Sequence, residues 1–187
     1  MEVTSIHQFG EFLKEKKLLN HAAEIGVAEG RTSLQFMNWG FKKLYLVDVW
    51  SHVDQSGDAN NSNEWHDNNL KMCHEKLDKF GDKVKFLKGF SVEMAKKVKD
   101  GSLDFVYLDG DHSYEGCRND IHAWLPKLKL GGIMAFHDYN DIYGVRAAVD
   151  EFTYDNKIEL HILPELHIEN QGAWFEKKLY VNTISES

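Results

Sequence analysis

Apolar positions along this chain fall into two alternating rhythms. Short apolar runs at 21–27, 43–49, 83–88, 103–109 and 131–137 read as buried strands, and stretches with helical spacing lie between them. That alternation predicts βαβ units and a parallel sheet. Thr4 to Leu19 reads as an amphipathic helix, with Ile6, Phe9, Phe12 and Leu13 on one face and Thr4 or Ser5 as its cap. Thr32 to Trp39 begins a second helix, and residues 143–154 carry another. Two further β-like runs follow, Ile158 to Leu163 and Ala173 to Phe175. No Pro/Gly/Ser-rich linker, repeat or low-complexity tract divides the pattern, so the expectation is one domain over 1–187.

One stretch has no usable apolar period. Ser51 to Trp65 reads SHVDQSGDANNSNEW, polar and rich in turn formers. A long irregular connection leaving a strand end is usually functional, which predicts a lid loop at 51–65. Trp50 and Trp65 flank it, placed to close on a planar group or else to pack as core aromatics.

The turn after the first strand is the next informative feature. Glu24-Ile25-Gly26-Val27-Ala28-Glu29-Gly30 has the spacing E-x-G-x-x-x-G and leads into a helix. Glycines there let the backbone turn sharply and approach a ligand, and the helix start offers unpaired N–H groups. The spacing is not the G-x-G-x-x-G of dinucleotide enzymes. Asp48 closes the second strand, and an acid at that place in a doubly wound sheet is positioned to hold ribose hydroxyls.

Composition narrows the class. Of 187 residues 42% are hydrophobic and two are proline, which fits a packed core and excludes a disordered chain. A net charge of −8 argues against broad binding to nucleic acid or anionic membrane. Cys73 and Cys117 form neither a metal-ligand pair nor a disulfide framework. With no signal-like or long apolar run, the expectation is a soluble cytoplasmic protein.

Ionisable residues gather at two strand ends. The fourth strand ends in Leu108-Asp109-Gly110-Asp111-His112-Ser113-Tyr114, and the fifth in Phe136-His137-Asp138-Tyr139. Neighbouring parallel strands end side by side, so Asp109, His137 and Asp138 can converge. Two carboxylates with one imidazole suit Mg²⁺, Mn²⁺ or a similar divalent ion. Taken singly, either acid could instead be a satisfied cap or ion pair.

The ordered set E-x-G-x-x-x-G, V-D, D-F-V-Y-L-D-G-D-H-S-Y and L-K-L-G-G-I-M-A-F-H-D-Y resembles the class I S-adenosylmethionine-dependent methyltransferases. It is most similar to the small group related to macrocin-type sugar and catechol-type O-methyltransferases, over about residues 20–155. The resemblance implies a Rossmann-like, doubly wound, mostly parallel seven-stranded sheet, with helices on both faces and a reversed C-terminal hairpin. It implies that Glu24, Gly26 and Gly30 border the methionine part of the cofactor and that Asp48 binds its ribose. Gly89, Phe90 and Ser91 would meet adenine. Asp109 falls where the catechol-type enzymes place a metal aspartate, and His137 and Asp138 where they have an Asp-Asn pair. A histidine in the first of those places leaves a softer ion than Mg²⁺ open. The catalytic base would be His112 by the catechol-type pattern or Asp111 by the macrocin-type pattern.

The implied chemistry is O-methylation of a small-molecule or sugar hydroxyl, with a homo-oligomer left open. A sulfonium methyl is already electrophilic, so the protein must align an oxygen and remove its proton. Two rival readings remain: a nicotinamide-dependent oxidoreductase, and a module that holds the cofactor without catalysis.

Overall fold

The computed structural model describes residues 8–53, 62–163 and 171–179. Seven strands, β1 (His21–Ile25), β2 (Lys43–Asp48), β3 (Val84–Lys88), β4 (Leu103–Leu108), β5 (Leu128–Phe136), β6 (His161–Leu163) and β7 (Gly172–Glu176), form one sheet in the order β3-β2-β1-β4-β5-β7-β6. Strands β1 to β5 are parallel, while β7 runs antiparallel to both neighbours, β5 and β6. This is the mostly parallel Rossmann-like sheet with a reversed final hairpin. The chain reverses its winding direction between β1 and β4, and an open α/β sheet leaves its ligand crevice at that switch point.

Helices cover both faces. α1 (Phe9–Glu15), α2 (Arg31–Trp39) and α3 (Asn63–Leu77) pack on one side, and α4 (Ser91–Ala95), α5 (Tyr114–Trp124) and α6 (Val145–Asp155) on the other. Strand β4 shows why its sequence is a near-continuous buried run with one acid, Asp104. Phe105 and Tyr107 face α1–α3, Val106 and Leu108 face α4–α6, and all four are buried. Phe36 of α2 meets both Phe105 and Tyr107 edge-on, each at 5.4 Å between ring centroids. Burial of such a ring contributes about 1.5–3 kcal/mol.

Several boundaries differ from the apolar pattern, each for a local reason. The first helix is shorter than 4–19: it ends at Glu15, and Lys17 turns out at φ 59°. Its predicted caps Thr4 and Ser5 lie outside the described residues. Strand β5 begins at Leu128, because Gly131 (φ 77°) and Gly132 sit at a register shift inside the strand and do not precede it. Of the predicted lid, residues 54–61 lie outside the described residues. Residues 62–65 are not loop: Ser62 caps α3, its side chain accepting from the Trp65 amide, and the helix starts at Asn63.

A polar clamp ties the opposite edge of the sheet to its core. Asp104, 1% exposed, accepts from the Asn20 amide at 2.6 Å and from Lys129 Nζ at 2.6 Å. Burial alone would raise its carboxyl, but these partners hold it below the ordinary aspartate value. No helix among the described residues is long and apolar enough to cross a membrane.

Candidate active site

The turn between β1 and α2 is built by close contact between backbones. Gly26 has φ 82°, and a Cβ there would lie 1.9 Å from the carbonyl oxygen of Asp109. The Asp109 amide donates to the Ile25 carbonyl at 2.8 Å, and the Gly26 amide to Val47 at 2.9 Å. The missing side chain therefore lets the ends of β1 and β4 touch, a stronger demand than the approach of a ligand. Gly30, expected beside the cofactor, caps α2 at φ 76°, where a Cβ would meet Cys73 Sγ at 2.8 Å. Its role is packing against α3, and it is not among the residues lining the cleft.

The cleft encloses about 1140 Å³ at the carboxyl ends of the strands. Glu24, Gly26, Asp48, Gly89, Phe90, Ser91 and Asp109 all line it, with Asp111 and His112. Glu24 is 1% exposed and accepts a short hydrogen bond from the Ser33 hydroxyl. Burial pushes its carboxyl well above the ordinary value, against the Ser33 bond and with help from Asp109 and Asp48. Asp48 organises the loops around it. Its Oδ2 accepts from the Val27 and Ala28 amides at 2.8 and 2.9 Å, and its Oδ1 from the Trp50 amide at 2.8 Å. Trp50 is buried and donates through Nε1 to the Ala28 carbonyl, so it braces the turn as a core aromatic.

The far end of the cleft lies at the start of α4. Gly89 (φ 148°) packs on Met94, and Phe90 is 62% exposed. Ser91 accepts from Trp124 Nε1 at 2.8 Å and bonds Asp120 of α5. Burial, assisted by Asp111 and opposed by the Ser91 bond, pushes Asp120 up to about 6. An acid whose folded pKa exceeds its unfolded value binds more protons when folded. The contribution of Asp120 to stability is then greatest below about pH 4, falls as pH rises toward about 6, and stays lower above. Asp120→Asn keeps the acceptor for Ser91 and removes the charge, so it should raise stability at pH 7 by about 2 kcal/mol. Thermal unfolding from pH 4.5 to 7.5 checks this: the gap between variant and wild type must widen with pH, and a constant gap refutes it.

At the other end, four ionisable side chains meet. Asp109, His137 and Asp138 each offer a ligand atom, all within 4.8 Å of one another. His137 Nδ1 lies 3.2 Å from both Asp109 Oδ1 and Asp138 Oδ2, yet is buried and aligned with neither as a hydrogen bond. That atom, facing two carboxylate oxygens, is the donor geometry a divalent ion takes. His112 joins from the same side, its Nε2 3.3 Å from Asp109 Oδ1 and 3.4 Å from Asp138 Oδ2. Asp138 has φ 50°, a strained turn that directs its side chain back to the cluster.

Charge follows from these distances. Burial works against an ionised Asp109, but His112 and His137 hold its carboxyl below the ordinary value. Burial would lower His137, but Asp109 and Asp138 push it up to about 10. His112 is raised by its bond to Asp109. Asp111 differs from all of them: it is exposed and its Oδ1 accepts from the Ser113 amide at 2.9 Å, forming the turn into α5.

The loop after β5 is pinned to the loop after β4. The Gly144 amide donates to the His112 carbonyl at 2.9 Å, and a Cβ on Gly144 would lie 2.1 Å from the Tyr114 nitrogen. The Tyr139 amide donates to Gln171 at 2.7 Å. Between these pins, buried Asn140 accepts from the Ile142 amide at 2.9 Å, while Ile142 and Tyr143 are exposed and the Tyr143 ring lies 5.2 Å from that of His112.

Sequence reasoning missed His66, Asn69 and Asp120, all buried cleft residues on helices. The signal for the first two was present in the spacing 66-69-73-77 on the buried face of α3. Polar residues fill its first half, so an apolar period does not reveal it.

Sheet order, reversed hairpin and strand-end cleft together are those of a class I methyltransferase. Residues 23–139 match the family described as a methyltransferase domain, and the chain belongs to that family. A protein of Acanthamoeba polyphaga mimivirus, itself uncharacterized, is 28% identical over 123 residues, 63% of this chain and 51% of its own length. The match thus spans about half of that relative. Among solved structures, the O-methyltransferase NovP superposes with a TM-score of 0.66 at 18% identity, covering 92% of this chain and 78% of its own. An O-methyltransferase from Bacillus cereus in complex with SAH has a TM-score of 0.66 at 11% identity, covering 91% of this chain and 80% of its own. Both likenesses are of fold.

Proposed function

We propose that this protein transfers the methyl group of S-adenosylmethionine to a hydroxyl of a small molecule or sugar. The observation that carries the reading is that Asp109 and His112 belong at once to the cleft lining and to the carboxylate–imidazole cluster. Cofactor and acceptor chemistry thereby share one border.

In this reading the acceptor oxygen attacks the methyl carbon, and the carbon–sulfur bond breaks with its electron pair going to sulfur. The hydroxyl proton goes to the His112 imidazole, whose basicity Asp109 raises by accepting from its Nε2–H. Asp111, held by the Ser113 amide, shapes the turn that presents His112. Glu24 and Asp48 order the cofactor end, the first from the floor of the cleft and the second through the amides of Val27, Ala28 and Trp50. Asp109, His137 and Asp138 would hold a divalent ion, Mg²⁺ or a softer relative, which when bound lowers the pKa of the acceptor hydroxyl and fixes its direction. A small acceptor also suits the net charge of −8, which disfavours polyanions.

Titration calorimetry with S-adenosylhomocysteine and with NAD tests the cofactor. Binding of the former and none of the latter is expected, because the E-x-G-x-x-x-G turn lacks the glycine spacing that accepts a pyrophosphate. The reverse result would favour an oxidoreductase. Binding of S-adenosylhomocysteine without methyl transfer to any of a panel of sugar and catechol hydroxyls would favour a non-catalytic module.

A further inference from the structure

We propose that His66 and Asn69 of α3, with the open start of α2, form a carboxylate subsite that holds the amino-acid end of the cofactor. This rests on the methyltransferase reading and assigns residues to it that neither motif nor family pattern supplies. Both side chains line the cleft and both are only 4% exposed. Among the described residues, Asn69 Nδ2 and His66 Nε2 are nevertheless buried without a hydrogen-bond partner. Buried donors are nearly always paired, so two unpaired ones in a cleft wall point to a ligand acceptor.

A second observation comes from α2. This nine-residue helix begins after Gly30 with no side chain capping it, and Arg31 and Thr32 line the same cleft. Its first N–H groups are unpaired donors with a partial positive charge. Helix α3 crosses this start: a Cβ on Gly30 would touch Cys73, and Lys76 Nζ donates to the Glu29 carbonyl at 2.9 Å. Asn69 and His66 share the buried face of Cys73, about one and two turns toward the start of α3.

The Glu29 carboxylate on this side is taken up by Arg31, and the groups left unpaired, Asn69 Nδ2, His66 Nε2 in its protonated tautomer and the first amides of α2, are N–H donors, which select an anion. The acids Glu24 and Asp109 line the same cleft and suit a cation. A free amino acid group carries both charges on one carbon, and its carboxylate fits the α2–α3 side. Ribose is already served by the acceptor Asp48 and does not need these unpaired donors.

Two ligands separate the possibilities. S-adenosylhomocysteine carries the amino-acid end, whereas 5′-methylthioadenosine has the same ribose and adenine without it. Asn69→Leu, close in shape, and His66→Phe should each weaken S-adenosylhomocysteine at least tenfold by calorimetry. Affinity for 5′-methylthioadenosine should stay within about twofold of wild type, and thermal unfolding should show both variants folded. Equal weakening of the two ligands, or of neither, in both variants overturns the subsite. If wild type binds 5′-methylthioadenosine and S-adenosylhomocysteine equally well, the subsite is also wrong while the cleft assignment stands. If wild type binds neither, the methyltransferase reading fails and the subsite with it.

Discussion

Asp138→Ala is expected to reduce methyl transfer at least ~100-fold while leaving affinity for S-adenosylhomocysteine within about twofold of wild type. The split follows from position. Asp138 is not part of the cleft lining, yet its Oδ2 lies 3.2 Å from His137 Nδ1 and 3.4 Å from His112 Nε2. In the proposed mechanism, removing it takes away one of three candidate ion ligands and one of two carboxylates beside His112, and touches no residue that lines the cofactor end of the cleft. Asp138→Asn keeps the turn geometry and serves as the control for folding. Wild-type activity should also be lost in chelator and return with added Mg²⁺ or Mn²⁺. Full activity in chelator would remove the ion from the mechanism and leave His112, flanked by Asp109, as a metal-free base.

The second large effect is on folding. Gly26→Ala should destabilise the protein by about 3–5 kcal/mol, which for a domain of this size leaves little folded. Two costs add: an L-residue at φ 82°, and a methyl group 1.9 Å from the Asp109 carbonyl oxygen, where neither backbone has room to give. Gly40→Ala isolates the first cost. It ends α2 at φ 104° with nothing within 4 Å of the added carbon, so it should lose only about 1–2 kcal/mol. Urea denaturation of the two variants compares them directly. Equal losses would mean that the contact between the β1 and β4 loops yields, and that Gly26 serves the ligand alone.

Much of this architecture was legible because it rests on apolar period. Strand β4 is buried on both faces, so apart from Asp104 its residues are apolar, and β1, the centre of β2 and the second half of β5 follow the same logic with few exceptions. The convergence of Asp109 with His137 and Asp138 was legible for a topological reason: parallel neighbours β4 and β5 end at the same edge. Helix α3 was not legible, since His66 and Asn69 occupy core-facing positions that apolar residues normally fill. Nor was the real duty of the glycines. Gly26 and Gly30 make close packing contacts with residues 83 and 43 positions away in the chain (Asp109 and Cys73), and no local pattern reports such a neighbour. Asp111 and His112 were indistinguishable in the sequence. Only the fold separates them, by giving one to a backbone amide and the other to the cluster.

The short segment between Tyr139 and Gly144 behaves as a replaceable insert. Its two ends are fastened to Gln171 and to His112, and Asn140 sets its curvature from inside. Ile142 and Tyr143 take no part in those fastenings through their side chains; both are exposed, and the Tyr143 ring stands beside the imidazole of His112. Under the proposed function, variation at Tyr143 is expected to change which acceptor is taken without moving His112. If that function holds, a library at Tyr143 is the economical route to new acceptor range on this scaffold, whereas Gly144, wedged against Tyr114, must stay fixed.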